Sequence, residues 1–289
     1  MIEGTIPALL TPLTAGGAEV DLEALEEHVA WLAERGVRCV SPLGSTGEGP
    51  SLSLAERVRV LERLARHPAR VALLAGTGCT SLPETIELSR RALELGVAGV
   101  LVAPPSYYAV TTAGTTAYYA RLLDALPPEA RVFVYHIPGL TDVSIEDETL
   151  RELGPRIAGA KDSAGDPTHT ARWVRDHPGL TILSGSDAAA AAHYAAGGRG
   201  TITMLANIFP EELDRIRQDP GGEEAARTQR FLAAVRSLLG EFPRHAALKH
   251  LLHVVSGLPR ASVRPPLDEL TPEQIHALET RFTTLRGER

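Results

Sequence analysis

Short apolar runs closed by turn residues alternate along the chain with longer stretches whose apolar positions recur every three or four residues. The runs are Ile6–Thr11, Cys39–Leu43, Val71–Ala75, Gly99–Ala103, Val132–Tyr135, Ile157–Lys161, Leu180–Ser184 and Gly200–Met204. Each has the length of a buried strand. Asp21–Arg35 typifies the intervening stretches: Leu22, Leu25, Val29 and Leu32 share one helical face, and Gly36 ends it. Ser53 with Glu56, and Ser81 with Glu84, predict capping boxes that satisfy the free amides of a first helical turn. Thr271-Pro272-Glu273-Gln274 repeats the signal with proline at the first helical position. Eight strand–helix alternations predict a (β/α)8 barrel over residues 1–209. Beyond it the strands cease. Pro210–Gln218, Glu223–Leu239, Arg244–Val255 and Thr271–Leu285 predict a C-terminal helical domain over residues 210–289. The alternative is a doubly wound open sheet, but Gly76-Thr77-Gly78 and Gly197-Gly198-Arg199-Gly200 are too fragmentary for a dinucleotide fingerprint.

Composition narrows the partners. The 289 residues are 44% apolar and 22% charged, which supplies an ordinary globular core. A net charge of −7, with no basic cluster, argues against nucleic acid or an anionic membrane as the main partner. Cys39 and Cys79 each lie in an apolar run, so two buried thiols in a reducing compartment are expected rather than a disulfide. The first residues lack a basic segment followed by an apolar one, and no apolar stretch approaches the roughly 20 residues that cross a bilayer. A cytoplasmic protein is the expectation.

The chemistry starts from a scarcity. Of 29 cationic residues only Lys161 and Lys249 are lysine. Arginine serves wherever charge alone matters, but it stays protonated, whereas a desolvated lysine can lose its proton and attack a carbonyl. Lys161 ends the sixth run, where a barrel displays catalytic side chains. The plain alternative is a leftover lysine in a strand. The second run ends in Gly44-Ser45-Thr46-Gly47-Glu48-Gly49, whose hydroxyls and free amides can grip a small carboxylate or simply form a glycine turn. The fourth ends in Pro104-Pro105-Ser106-Tyr107-Tyr108 and the fifth in Tyr135-His136-Ile137-Pro138. Adjacent strands lie roughly 4.8 Å apart, so Tyr135 and Lys161 should be neighbours. Taken alone, a strand tyrosine reads as a core residue. Beside Lys161, Ser45 and Tyr108 it reads as a proton carrier.

On Gly4–Pro12, Gly44–Glu48, Tyr135-His136-Ile137-Pro138 and Lys161, the sequence resembles the dihydrodipicolinate synthase and N-acetylneuraminate lyase family along its whole length. The resemblance implies a TIM barrel with a C-terminal helical appendage, usually a homotetramer. It also implies class I aldolase chemistry on pyruvate or a pyruvate-yielding 2-oxo acid, without a cofactor. By that resemblance Lys161 forms the Schiff base, Tyr135 shuttles the proton and Ser45 is its relay partner. Tyr108, rather than Tyr107, completes the relay in a neighbouring subunit, and Thr46 helps to bind the pyruvate carboxylate. Such a lysine must be neutral to attack, so its surroundings have to disfavour its charge.

Within the family the pattern departs from the synthase. Leu140 stands where an arginine would grip the carboxylate of aspartate semialdehyde, and the histidines of a lysine-feedback site are missing from Ser51–Arg57. Leu140 and the Gly44–Glu48 loop resemble the sialic acid lyase branch, in which Ser163, Asp187 and Thr201 would hold substrate hydroxyls. Gly44, Gly185, Ile202 and Leu140 complete the implied substrate-binding set. Ala188 replaces the glutamate expected beside Asp187, which points to a shorter 4-hydroxy-2-oxo acid such as a 2-keto-3-deoxy sugar acid. Asp187 has a second reading as an N-cap. Synthase activity and a non-catalytic 2-oxo-acid binder are the alternatives. No metal is expected, because His245, His250 and His253 lack the i, i+4 spacing of a ligand pair and read as surface or packing groups. Lys249 is expected to snorkel from a packed helix.

Overall fold

The computed structural model describes residues 2–287, so the expected domain ends at residues 1 and 288–289 lie outside it. Eight parallel strands form one sheet: β1 (Gly4–Pro7), β2 (Cys39–Val40), β3 (Ala72–Gly76), β4 (Gly99–Val102), β5 (Val132–His136), β6 (Gly159–Asp162), β7 (Thr181–Ser184) and β8 (Gly200–Thr203). Their order, β1-β8-β7-β6-β5-β4-β3-β2, returns to β1 through a parallel bridge between Ala8 and Ser41. Ser41 N donates to Pro7 O at 2.8 Å there, and Leu9 N to Ser41 O at 2.9 Å. The sheet is a closed (β/α)8 barrel, as the alternation predicts.

The ring of helices comprises α1 (Leu22–Glu34), α2 (Leu54–Ala65), α3 (Leu82–Glu94), α4 (Thr112–Ala125), the single turn α5 (Pro138–Thr141), α6 (Asp147–Leu153), α7 (Pro167–Asp176), α8 (Ala190–Ala195) and α9 (Pro210–Gln218). Three more helices follow: α10 (Glu223–Leu239), α11 (Arg244–Ser256) and α12 (Pro272–Gly287). Helix α9 packs on β1 and α8 as well as on α10, so barrel and appendage share it. The caps follow the sequence. Asp21 accepts from Ala24 N at 3.0 Å to start α1, and Gly36 beyond its end has φ +83°. Both reciprocal bonds of the Ser53–Glu56 and Thr271–Gln274 boxes form. At Ser81 the hydroxyl accepts from Glu84 N, but the Glu84 carboxylate turns to that hydroxyl and not to the backbone, so half of the box is made.

Strand alternation sorts the side chains into layers. Ile6, Leu74, Leu101, Phe133, Tyr135, Leu183 and Ile202 fill the barrel, while Val132, Val134 and Ala160 face the helices. A third apolar cluster, built on Phe209, Leu232, Leu248 and Phe282, joins α9–α12 to the barrel through Leu10 and Leu205. Among the described residues no helix is long and apolar enough to cross a membrane.

Two expectations need correction. Lys249 does not snorkel: its side chain is 1% exposed and pairs with Glu48, because α11 presses that face onto the loop after β2. Cys79 is only half-buried, beside the Arg57 guanidinium; like Cys39 it is a free thiol. His250 and His253 are packing groups, held by Glu279 and by the Leu258 carbonyl.

The buried histidines carry a prediction for stability. Burial holds His28 and His193 at about 4, down from the ordinary 6.5, so both are neutral in the fold and take up protons on unfolding. Stability is complete above pH 6.5 and falls as the pH drops towards 4, each ring removing on the order of 3 kcal/mol across that window. Urea midpoints measured against pH should fall steeply in this interval, and less steeply for His28→Gln. A flat midpoint contradicts it.

Candidate active site

The register of β5 and β6 sets Tyr135 opposite Lys161, and alternation turns both into the barrel. Lys161 Nζ donates to Tyr135 Oη at 3.0 Å and lies 4.1 Å from the centre of the ring. Each residue is 5% exposed. Burial opposes ionisation of the Tyr135 phenol. The Lys161 charge, its hydrogen bond and the hydroxyls of Ser45 and Ser163 outweigh that effect, and the phenol sits below its ordinary value. The phenol oxygen is thus a junction: the Lys161 amine bonds it, and the Ser45 and Ser163 hydroxyls favour its ionised form.

Ser163 reaches the junction because Gly185 leaves it room. A Cβ on Gly185 would sit 1.8 Å from Ser163 Oγ and 3.1 Å from Lys161 Cε. Ser45 and Thr46 ride on the loop after β2, which opens with Leu43 at φ +64° and closes with Glu48 at φ +54°. Both are left-handed conformations that cost a side-chain-bearing residue roughly 1–2 kcal/mol. The tight turn depends on glycine at Gly49, where a Cβ would lie 2.0 Å from Leu43 O. A cavity of about 580 Å³ borders Ser45 and is lined in part by Ser106, Ile137, Leu140, Thr141 and His245. Leu140 is 66% exposed at its edge and brings no charge to it.

Several expected residues lie elsewhere. Thr201 faces the helix layer, 3.4 Å from Tyr194 Oη, because its neighbour Ile202 takes the inward position on β8. Asp187 is completely buried. Its carboxylate accepts from Leu205 N at 3.2 Å and from Arg236 at 3.3 Å, so it neither caps α8 nor offers a free face to a substrate. Tyr108 is 75% exposed and stacks edge-on against Tyr107 at 5.1 Å. Among the described residues no hydrogen bond joins it to Tyr135 or Ser45.

Sequence reasoning missed two supporting groups. Behind the site, Asp162 accepts from His169 Nδ1 at 2.8 Å, Thr170 Oγ1 at 2.6 Å and Ala164 N at 3.0 Å. His136, Asp162 and His169 offer atoms within 4.8 Å of one another, the closeness of a metal trio. The donor set fits a brace instead. The carboxylate already has three donors, and His136 Nδ1 accepts from Ile145 N at 3.0 Å, which leaves a protonated Nε2. The second missed group is Glu48 with Lys249. The same lysine scarcity that singles out Lys161 would have found it.

A sequence model described as the dihydrodipicolinate synthetase family matches residues 1–284. The chain belongs to this family. A protein of Chloroflexus aurantiacus named an uncharacterized DapA-like lyase is 42% identical over 96% of this chain and 95% of its own length. The 4-hydroxy-tetrahydrodipicolinate synthase of Sorangium cellulosum is 36% identical over 99% and 97% of the two chains. Among solved structures, the Escherichia coli K12 family member YagE, determined in complex with pyruvate, superposes with a TM-score of 0.91 at 27% identity, covering 99% of each chain. Family membership places the barrel among lyases and aldolases.

The junction predicts a spectroscopic signature. In a tyrosinate absorbance titration, one phenol should ionise below the ordinary value of about 10 and disappear in Tyr135→Phe. In folded Lys161→Ala only burial and the hydroxyls remain, so the same phenol should move upward. No change in that variant would contradict the electrostatic account.

Proposed function

We propose that the protein is a Schiff-base-forming, pyruvate-dependent aldolase that cleaves or forms a 4-hydroxy-2-oxo acid such as a 2-keto-3-deoxy sugar acid. The observation that carries this reading is the 3.0 Å contact between Lys161 Nζ and Tyr135 Oη, both buried at a barrel strand end. Neutral Lys161 attacks C2 of the 2-oxo acid, and loss of water leaves a protonated imine. Tyr135 accepts the C4 hydroxyl proton as the C3–C4 bond breaks, and that electron pair flows into the imine. An aldehyde departs, leaving the enamine of pyruvate. Protonation at C3 and hydrolysis then release pyruvate and return the lysine.

Ser45 and Ser163 share the phenol proton and stabilise the tyrosinate, in line with the lowering their hydroxyls exert on the Tyr135 phenol. The Gly44, Ser45 and Thr46 loop holds the substrate carboxylate, with Ile202 and Gly185 shaping the floor. Tyr108, 75% exposed, enters the relay of a neighbouring subunit in a tetramer. No cofactor is required, because the imine itself is the electron sink.

One observation keeps a second reading in play: a relative that is 36% identical bears the name of 4-hydroxy-tetrahydrodipicolinate synthase. That enzyme condenses pyruvate with aspartate semialdehyde. Leu140 counts against it here, since an apolar side chain cannot pair with the second carboxylate.

Incubation with pyruvate and borohydride, read by intact mass, tests the chemistry. One trapped pyruvate is expected on the wild-type chain and none on Lys161→Ala. Tyr135→Phe should still be labelled, yet lose about 100- to 10,000-fold in turnover. Lys161→Arg with retained turnover would sink the mechanism, and no adduct on folded wild type would favour a binding protein. Faster enamine consumption with aspartate semialdehyde than with sugar-derived aldehydes would select the synthase reading.

A further inference from the structure

The second lysine of the chain is as buried as the first, and no step of the reaction uses it. Lys249 projects from α11, and its ammonium pairs with Glu48 Oε1 and donates to Ser262 O at 2.6 Å. Glu48 Oε2 in turn accepts from Arg264 N at 3.1 Å, so both oxygens of this fully buried carboxylate are held from the C-terminal region. One helical turn before Lys249, on the same face of α11, His245 Nε2 donates to the Ser45 carbonyl at 3.0 Å. The two contacts take hold of the loop at Ser45 and at Glu48. Between them lie Thr46 and Gly47, whose carbonyl is fixed by Thr11 Oγ1 at 2.6 Å.

This loop needs holding. Leu43 and Glu48 occupy left-handed conformations that an unrestrained chain would leave. Relaxation of either residue would swing Ser45 away from Tyr135 and turn the amides of the turn off the substrate carboxylate. A lysine suits the position better than arginine, because a compact ammonium fits between a carboxylate and a carbonyl where a planar guanidinium would not. Burial pulls the Lys249 ammonium below its ordinary value, and the charge of Glu48 opposes this.

We propose that Lys249, assisted by His245, is a positioning residue: from the C-terminal helix it acts through Glu48 to lock the Gly44–Gly49 loop in the shape that binds the carboxylate and presents Ser45 to Tyr135. The appendage is then part of the active-site machinery and not a scaffold added to it. The catalytic consequence rests on the aldolase reading; the structural one does not.

Lys249→Met, Glu48→Gln and the double variant would be compared with the wild-type chain. The double variant leaves no unpaired buried charge, so it remains informative if Lys249→Met alone fails to fold. Hydrogen exchange read by mass spectrometry is expected to quicken by about tenfold or more over Leu43–Leu52 in the double variant, with β5 and β6 unchanged. In pyruvate–borohydride trapping, the pyruvate concentration for half-maximal labelling should rise by about tenfold or more, while labelling at saturation still reaches one per chain. Unchanged loop exchange in the folded double variant overturns the proposal, whether or not pyruvate is trapped. Equal acceleration throughout the barrel also overturns it, because Lys249 would then be a general stabiliser. Failure of wild type to trap pyruvate refutes the aldolase reading alone and leaves loop exchange to judge Lys249.

Discussion

An amine and a phenol set opposite each other on adjacent parallel strands, out of water, are the constraint around which this molecule is arranged. Moving an ammonium into a barrel interior is unfavourable unless a partner accepts its hydrogen bond and shares its charge. Tyr135 does both, and burial makes the exchange of a proton between the pair more consequential than it would be in water. The register of β5 and β6 fixes their separation, so the pair stands on barrel strands and not on loops. The layer beneath is apolar, with Phe133 packed over Gly159, where a Cβ would lie 2.8 Å from its ring.

The groups around this pair are braced from outside the barrel. One residue beyond Tyr135 and one beyond Lys161, alternation sends His136 and Asp162 out to the helix layer, where the Ile145 amide, His169 and Thr170 fix them. The strained loop after β2 is braced from α11 and from Arg264, whose guanidinium also pairs with Glu56 at the start of α2. Asp187 likewise ties the segment after β7 to Arg236 of α10. Three separate contacts thus run from the C-terminal helices to the loops at the ends of β2 and β7, His245 with Ser45, Lys249 with Glu48 and Arg236 with Asp187, which gives a role to a helical region that adds no strand among the described residues.

The sequence was most legible where a single local rule decides. Capping serines, the glycine after α1 and the lengths of apolar runs located the elements to within a few residues. Most strands come out shorter than their apolar runs, β2 most of all: it keeps only Cys39 and Val40 before the chain turns at Leu43, φ +64°. Lys161 and Tyr135 were legible as a pair because strand adjacency in a barrel follows chain order. Thr201 was misplaced for a reason that is also local: its inward or outward direction depends on a register that one residue reverses. Asp187 and Lys249 were misread because their partners, Arg236 and Glu48, are remote in sequence and nothing nearby predicts them.

The sequence alone determined the barrel, the appended helices and the candidate nucleophile, since periodicity, capping and residue scarcity are properties of neighbouring positions. Only the tertiary structure decided which polar groups converge on the Tyr135 oxygen, which carboxylates are consumed in bracing, and that the second lysine serves the loop after β2. Those outcomes depend on contacts between residues as far apart as Glu48 and Lys249, and burial strengthens such contacts only once the intervening chain has folded.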